Sequence, residues 1–140
     1  MSKRTAKARG SAAERELLHK LHDCGWAVVR AAGSGSTSVE APDVIAGKKG
    51  MFLAIEIKYC SKERQYLRYE EIIDLIEFAT RASCEAWIAV RYIRKGWTFV
   101  KAAELQSSGK NYVIVRGEHG ISFEELLEKK EKIISSQTSS

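Results

Sequence analysis

The chain's 140 residues, 44% of them hydrophobic, give room for one domain around a single core. No secretory leader pattern and no apolar run long enough to cross a bilayer are present, so a soluble, cytoplasmic protein is expected and a membrane partner is not. A net charge of +5 points mildly to a polyanionic partner, and the widely spaced Cys24, Cys60 and Cys84 lack zinc-site spacing and read as free thiols.

In chain order, Lys3, Arg4, Lys7 and Arg9 all precede the first acid, Glu14. Residues 1–10 therefore read as a basic, flexible arm suited to phosphates, followed by a folded domain over 11–134 and a low-complexity, disordered tail over 135–140. Ser11-Ala12-Ala13-Glu14 has the spacing of a capping box and predicts a helix from 11 to about 24, stopped at Gly25. Leu17, Leu18 and Leu21 form its apolar stripe, and Glu14 turns onto the same side, as a cap or as part of a site. His19 and His22 fall on its polar side and read as exposed.

A strand is expected over 26–32, with Arg30 on the face opposite Val29 and Ala31, and then a Gly/Ser loop over 33–38. Segments 43–46 and 51–59 read as an antiparallel hairpin closed by Lys48-Lys49-Gly50. A charged connection over 61–68 leads to a helix over 69–83, a strand over 85–93 and another over 97–100, whose Trp97 and Phe99 read as core aromatics. A further strand over 112–115 and a last helix capped by Ser122 and Glu125 complete an α/β domain with a mixed sheet.

The chemistry concentrates in residues 42–58. Strand alternation places Glu56 and Lys58 on one face of 51–58, and Met51, Leu53, Ile55 and Ile57 on the other. A carboxylate and an ammonium on a half-buried strand are costly to desolvate unless they are paired or coordinating. Asp43, at the start of the preceding strand, brings a second acid within a hairpin's reach. Two acids and a lysine so arranged can hold a divalent metal and position a water for phosphodiester cleavage. The acid-x-lysine triplet alone is a weak signal, since Glu128-Lys129-Lys130 repeats it on what reads as a solvated helix face. A structural ion pair between Glu56 and Lys58 is the plainer alternative.

Pro42-Asp43 with Glu56-Ile57-Lys58 resembles the signature of the PD-(D/E)xK nuclease superfamily. The segments 10–17, 25–30, 34–36 and 42–46, with Leu75-Ile76-Glu77-Phe78 and Gly120-Ile121-Ser122, resemble in order the archaeal Holliday-junction resolvases of the Hjc type. That resemblance implies a restriction-endonuclease-like core, with a central mixed β-sheet flanked by helices. It also implies a homodimer that nicks two opposing strands of a four-way DNA junction with magnesium. It assigns metal ligation to Asp43 and Glu56 and a catalytic lysine to Lys58, and puts Glu14 near the metal, Arg30 on DNA or the scissile phosphate, and Ser34 in a catalytic loop. Relatives can carry a second aromatic one turn beyond Phe78 at their dimer contact; Ala82 stands there, so that interface is packed differently.

On this reading Asp43, Glu56 and the Ile57 carbonyl hold Mg2+, for which Mn2+ can substitute, and Glu14 reaches its water shell. Lys58 then orients or deprotonates the attacking water, or stabilises charge in the transition state. Phosphate contacts are expected from Lys3, Arg4, Lys7, Arg9, Arg30, Lys48, Lys49, Lys62, Arg64 and Arg68. On the helix over 69–83, Ile72, Leu75, Ile76 and Ala79 fill one stripe, and Ile73 and Phe78 lie beyond its edges. They are the candidate contacts of a partner subunit, with a deeply buried helix as the alternative. A sliding clamp or a helicase is a candidate further partner. The rival functions are a restriction- or repair-type endonuclease acting on other DNA structures, and a DNA-binding protein without catalysis.

Overall fold

A two-residue turn at Lys49 and Gly50, with φ of 48° and 84°, folds β2 (Val44–Lys48) back onto β3 (Met51–Cys60). Positive φ at both central residues matches the twist of the two strands, which is why Gly occupies the second. The computed structural model describes residues 6–31 and 39–138. Its main sheet has the order β1-β2-β3-β5-β6, with β1 (Ala27–Arg30) at one edge and β5 (Glu85–Tyr92) and β6 (Gly96–Lys101) at the other. All neighbours are antiparallel except β3 and β5, whose parallel pairing sets Glu56 beside Ile88 and Lys58 beside Val90. The expected mixed α/β sheet is present.

Parallel strands need a crossover, and this one holds β4 (Arg64–Arg68) and α2 (Tyr69–Ala82). Most of the segment expected to be a charged connection, 61–68, is thus a strand, which joins β8 (Asn111–Val115) and β7 (Gln106–Ser108) in a second, three-stranded sheet. Helices α1 (Ala6–Asp23) and α3 (Phe123–Thr138) cover one face of the main sheet. There Leu17, Leu21, Phe123 and Leu126 pack on Leu53, Ile55, Ala89 and Phe99. On the other face Ile72, Leu75 and Ala79 of α2, with Leu67 and Ile114 of the small sheet, pack on Ala54, Ile88 and Val90.

The expected alternation in β3 holds, for Leu53 and Ile55 face α1 and α3, whereas Ala54 and Cys60 face α2. Two expected boundaries shift. Helix α1 begins at Ala6, so Ser11 lies inside it and caps nothing, and Lys7 and Arg9 belong to its first turns. Helix α3 runs on to Thr138 past Ser135. Its predicted cap is formed, with Ser122 Oγ accepting from the Glu125 amide at 3.1 Å and Glu125 Oε1 accepting from the Ser122 amide at 3.3 Å. No helix among the described residues is long and apolar enough to cross a membrane.

Candidate active site

The β2–β3 hairpin and the entry to α2 build one acidic cleft. Asp43 sits just before β2, where its carbonyl accepts from the Ala31 amide at 3.0 Å and its Oδ2 accepts from the Ile57 amide at 2.8 Å. Backbone and side chain are thereby fixed against two strands, which turns the carboxyl toward Glu56. The two carboxyl groups share a hydrogen bond, and Glu56 is pushed up to about 9. Burial is the main cause, followed by the hydrogen bond to Asp43, the Asp43 charge and, against the opposing pull of Lys58, the Glu71 charge. Two carboxylates this close share a proton unless a cation replaces it.

Lys58 lies on the same face of β3, but its ion-pair partner is neither acid of the hairpin. Its Nζ donates to Glu71 Oε1 at 2.6 Å, while Glu71 Oε2 accepts from the Arg68 amide at 3.0 Å. Burial alone would raise the Glu71 carboxyl; the Lys58 and Arg68 hydrogen bonds and charges outweigh it and hold the group below its usual range. Glu71 therefore ties the first turn of α2 to the face of β3 that carries Glu56 and Lys58. A cavity of about 280 Å³ opens here, lined by Glu40, Asp43, Glu56, Glu70, Glu71 and Asp74, with Arg68 as the only basic side chain on its wall among the described residues. So acidic a wall repels a phosphodiester until cations enter.

The other expected site residues are dispersed. Glu14 is bound to Arg30, Oε1 to Nε at 2.6 Å, so in this arrangement each satisfies the other. Among the described residues no three acidic, His or Cys side chains converge as a metal site, so Glu14 is not drawn in with Asp43 and Glu56. Lys48, an expected phosphate contact, is engaged within the subunit in this structure. Its Nζ donates to Glu131 at 2.6 Å and to the Cys24 carbonyl at 3.0 Å, and it is only 18% exposed, so it fastens the hairpin to α3. Arg9 stacks over the Tyr59 ring at 5.8 Å, and Lys7, Lys49, Lys62, Arg64 and Arg68 are exposed. Ser34, Lys3 and Arg4 lie outside the described residues. Ile73 is 39% exposed, whereas Phe78 is half-buried and packs on its own subunit's core.

Glu71 is the residue that sequence reasoning missed. Two acids at the start of a helix, Glu70 and Glu71, normally do no more than complement the helix dipole. The only available signal was that a half-buried Lys58 requires a partner once Glu56 is taken by Asp43.

Comparison with known proteins gives these residues a context. Residues 5–135 match the family of archaeal Holliday junction resolvases (Hjc). The crossover junction endodeoxyribonuclease Hjc of Sulfurisphaera tokodaii is 37% identical over 92% of this chain and 92% of its own length. The protein of the same name from Archaeoglobus fulgidus is 37% identical over 77% of this chain and 79% of its own. The solved structure of the Archaeoglobus fulgidus Hjc superposes with a TM-score of 0.78 at 34% identity, covering 84% of this chain and 98% of that one. A bacterial homing endonuclease, at 16% identity and a TM-score of 0.59, shares the fold alone, over 96% of this chain and 97% of its own. With a matched family spanning nearly its whole length and relatives above one-third identity, the chain belongs to the archaeal Holliday junction resolvase family.

Proposed function

We propose that this endonuclease resolves four-way DNA junctions by magnesium-dependent phosphodiester hydrolysis at Asp43, Glu56 and Lys58, with two copies nicking opposing strands. The endonuclease class comes with the family. The observation that carries the chemistry is the Asp43–Glu56 carboxyl pair, which shares a hydrogen bond in a cleft lined by acids.

That pair fits a hard divalent cation of the magnesium class. Magnesium keeps most of its waters and is commonly held by one or two carboxylates, so two acids suffice. When bound there it would supply charge neutralisation for the phosphate and a more acidic coordinated water. Asp43 contributes a carboxylate already fixed by the Ile57 amide, so little ordering is left to do on binding. Glu56 would hold the cation as a carboxylate, the cation taking the place of its proton. Lys58, an ammonium steadied by Glu71, is set to donate to negative charge developing on the phosphate. Arg68, exposed at the cleft, suits the incoming backbone.

Exposed apolar surface supports the dimer. Ile73 on α2 is 39% exposed, and Val29 and Phe52, on the face of the sheet that α2 covers only in part, are 64% and 47% exposed. A second copy that closes its own cleft beside the first would let two opposing strands be cut together. The test sets a four-way junction, a flap and plain duplex side by side with and without Mg2+, and weighs the protein by sedimentation. Junction-selective, metal-dependent cutting by a dimer is expected; equal cutting of all three substrates would remove the junction assignment, and a monomer at micromolar concentration the dimer.

A further inference from the structure

We infer that the outward face of β4 is a stacking surface for DNA, on which Tyr66 receives a base of the strand leading into the cleft while Arg64 and Arg68 hold its phosphates. The inference rests on the nuclease reading of the cleft and adds a contact that the catalytic residues do not require.

Alternation along β4 puts Arg64, Tyr66 and Arg68 on one face and buried Leu67 on the other. Tyr66 is 55% exposed, a large amount for an aromatic residue on a paired strand. Across the ladder it pairs with Val113, a half-buried apolar neighbour on the same face. Arg68 belongs to this face and also lines the cleft, so the row is continuous with the catalytic cavity. With strand residues rising about 3.3 Å each, the ring stands roughly 7 Å from the arginine on either side, a nucleotide-scale spacing. Neither flanking guanidinium is consumed by a short ion pair: Arg68 lies 3.9 Å from Glu71 with its side chain 72% exposed, and Arg64 is exposed.

Charge decides the occupant. A second copy of this face would set arginine against arginine, whereas a nucleic-acid strand offers both the phosphates and the π-face that the row requires. A branched junction presents bases less fully stacked than those of a duplex, so an aromatic platform here favours branched DNA over linear DNA without reading sequence.

The test measures binding without Mg2+, which keeps it independent of cleavage. Four-way junctions carrying 2-aminopurine beside the branch point are compared with linear duplex, using wild type, Tyr66→Phe, Tyr66→Leu and Tyr66→Ala. Expected are about tenfold weaker junction binding for the Leu and Ala variants, retention within twofold by Phe, and a fluorescence change on binding that only ring-bearing proteins produce. Duplex affinity should change less than twofold in all of them. Arg64→Gln should instead weaken both substrates and reduce the salt slope by about 1. Junction binding by Tyr66→Leu equal to wild type, or equal losses on junction and duplex, overturns the inference; wild type that binds in this way but never cuts overturns the catalytic reading instead.

Discussion

Removing the charge of Glu56 should stabilise the metal-free protein while destroying its activity. An acid whose pKa is about 9 in the folded chain, against an ordinary 4.5, binds more protons folded than unfolded across that interval. Metal-free wild type therefore loses stability steadily as pH rises from about 4.5 towards 9. At pH 7 the penalty is on the order of 3 kcal/mol, and it grows further by pH 8. Glu56→Gln keeps the size of the side chain and can donate an amide proton to Asp43, so it escapes the penalty. In chelator, thermal unfolding followed by circular dichroism should show the variant equal to wild type near pH 4.5 and roughly 10 °C more stable at pH 8. Adding Mg2+ should raise the melting temperature of wild type and leave the variant nearly unmoved, because ligand binding to the folded state alone stabilises it. A stability difference that does not change with pH, or a variant less stable than wild type at pH 8, would refute the shared-proton picture.

Glu71→Ala should slow junction cleavage roughly 100-fold by freeing the Lys58 ammonium, with junction affinity unchanged, read in single-turnover kinetics beside a binding titration. Wild-type rates in that variant would show that Lys58 needs no partner. Junction affinity should drop at least about tenfold between roughly 50 and 200 mM salt, and a flat salt profile would argue against phosphate contacts as the source of binding. Lys48→Met should cost about 1 kcal/mol of stability in denaturant unfolding through its lost Glu131 and Cys24 contacts, and leave junction binding intact. A binding loss without a stability loss would return Lys48 to the DNA surface.

The placement of the hairpin's charged residues was legible because it is local. Asp43, Glu56 and Lys58 fall within sixteen positions, and period-two alternation alone puts the last two on one face. The partner of Lys58 was hidden because Glu71 arrives by way of the crossover, from a helix turn where acids have an ordinary reason to be. The strand β4 was hidden for a related reason. Only Leu67 of its five residues is buried, and its hydrogen bonds go to β8, more than forty residues later, so charge outweighed alternation in the sequence. Ser11 and Glu14 have capping-box spacing, but that spacing carries no meaning inside a helix, and Glu14 serves Arg30 instead. The ion pair of Lys48 was hidden because nothing near it in sequence announces Glu131, 83 positions away. Alternation and turn chemistry reveal a strand's faces; which charges meet across them is decided by tertiary packing.

On the proposed mechanism, the carboxyls of Asp43 and Glu56 together hold the metal at which DNA is cut. Single-turnover cleavage of a four-way junction by wild type and Asp43→Asn, each titrated with Mg2+, tests it most directly. Wild type should cut only when the metal is present, and Asp43→Asn should bind the junction with similar affinity yet leave it whole at every Mg2+ concentration. Cutting in chelator, or Asp43→Asn cutting at the wild-type rate, would contradict it.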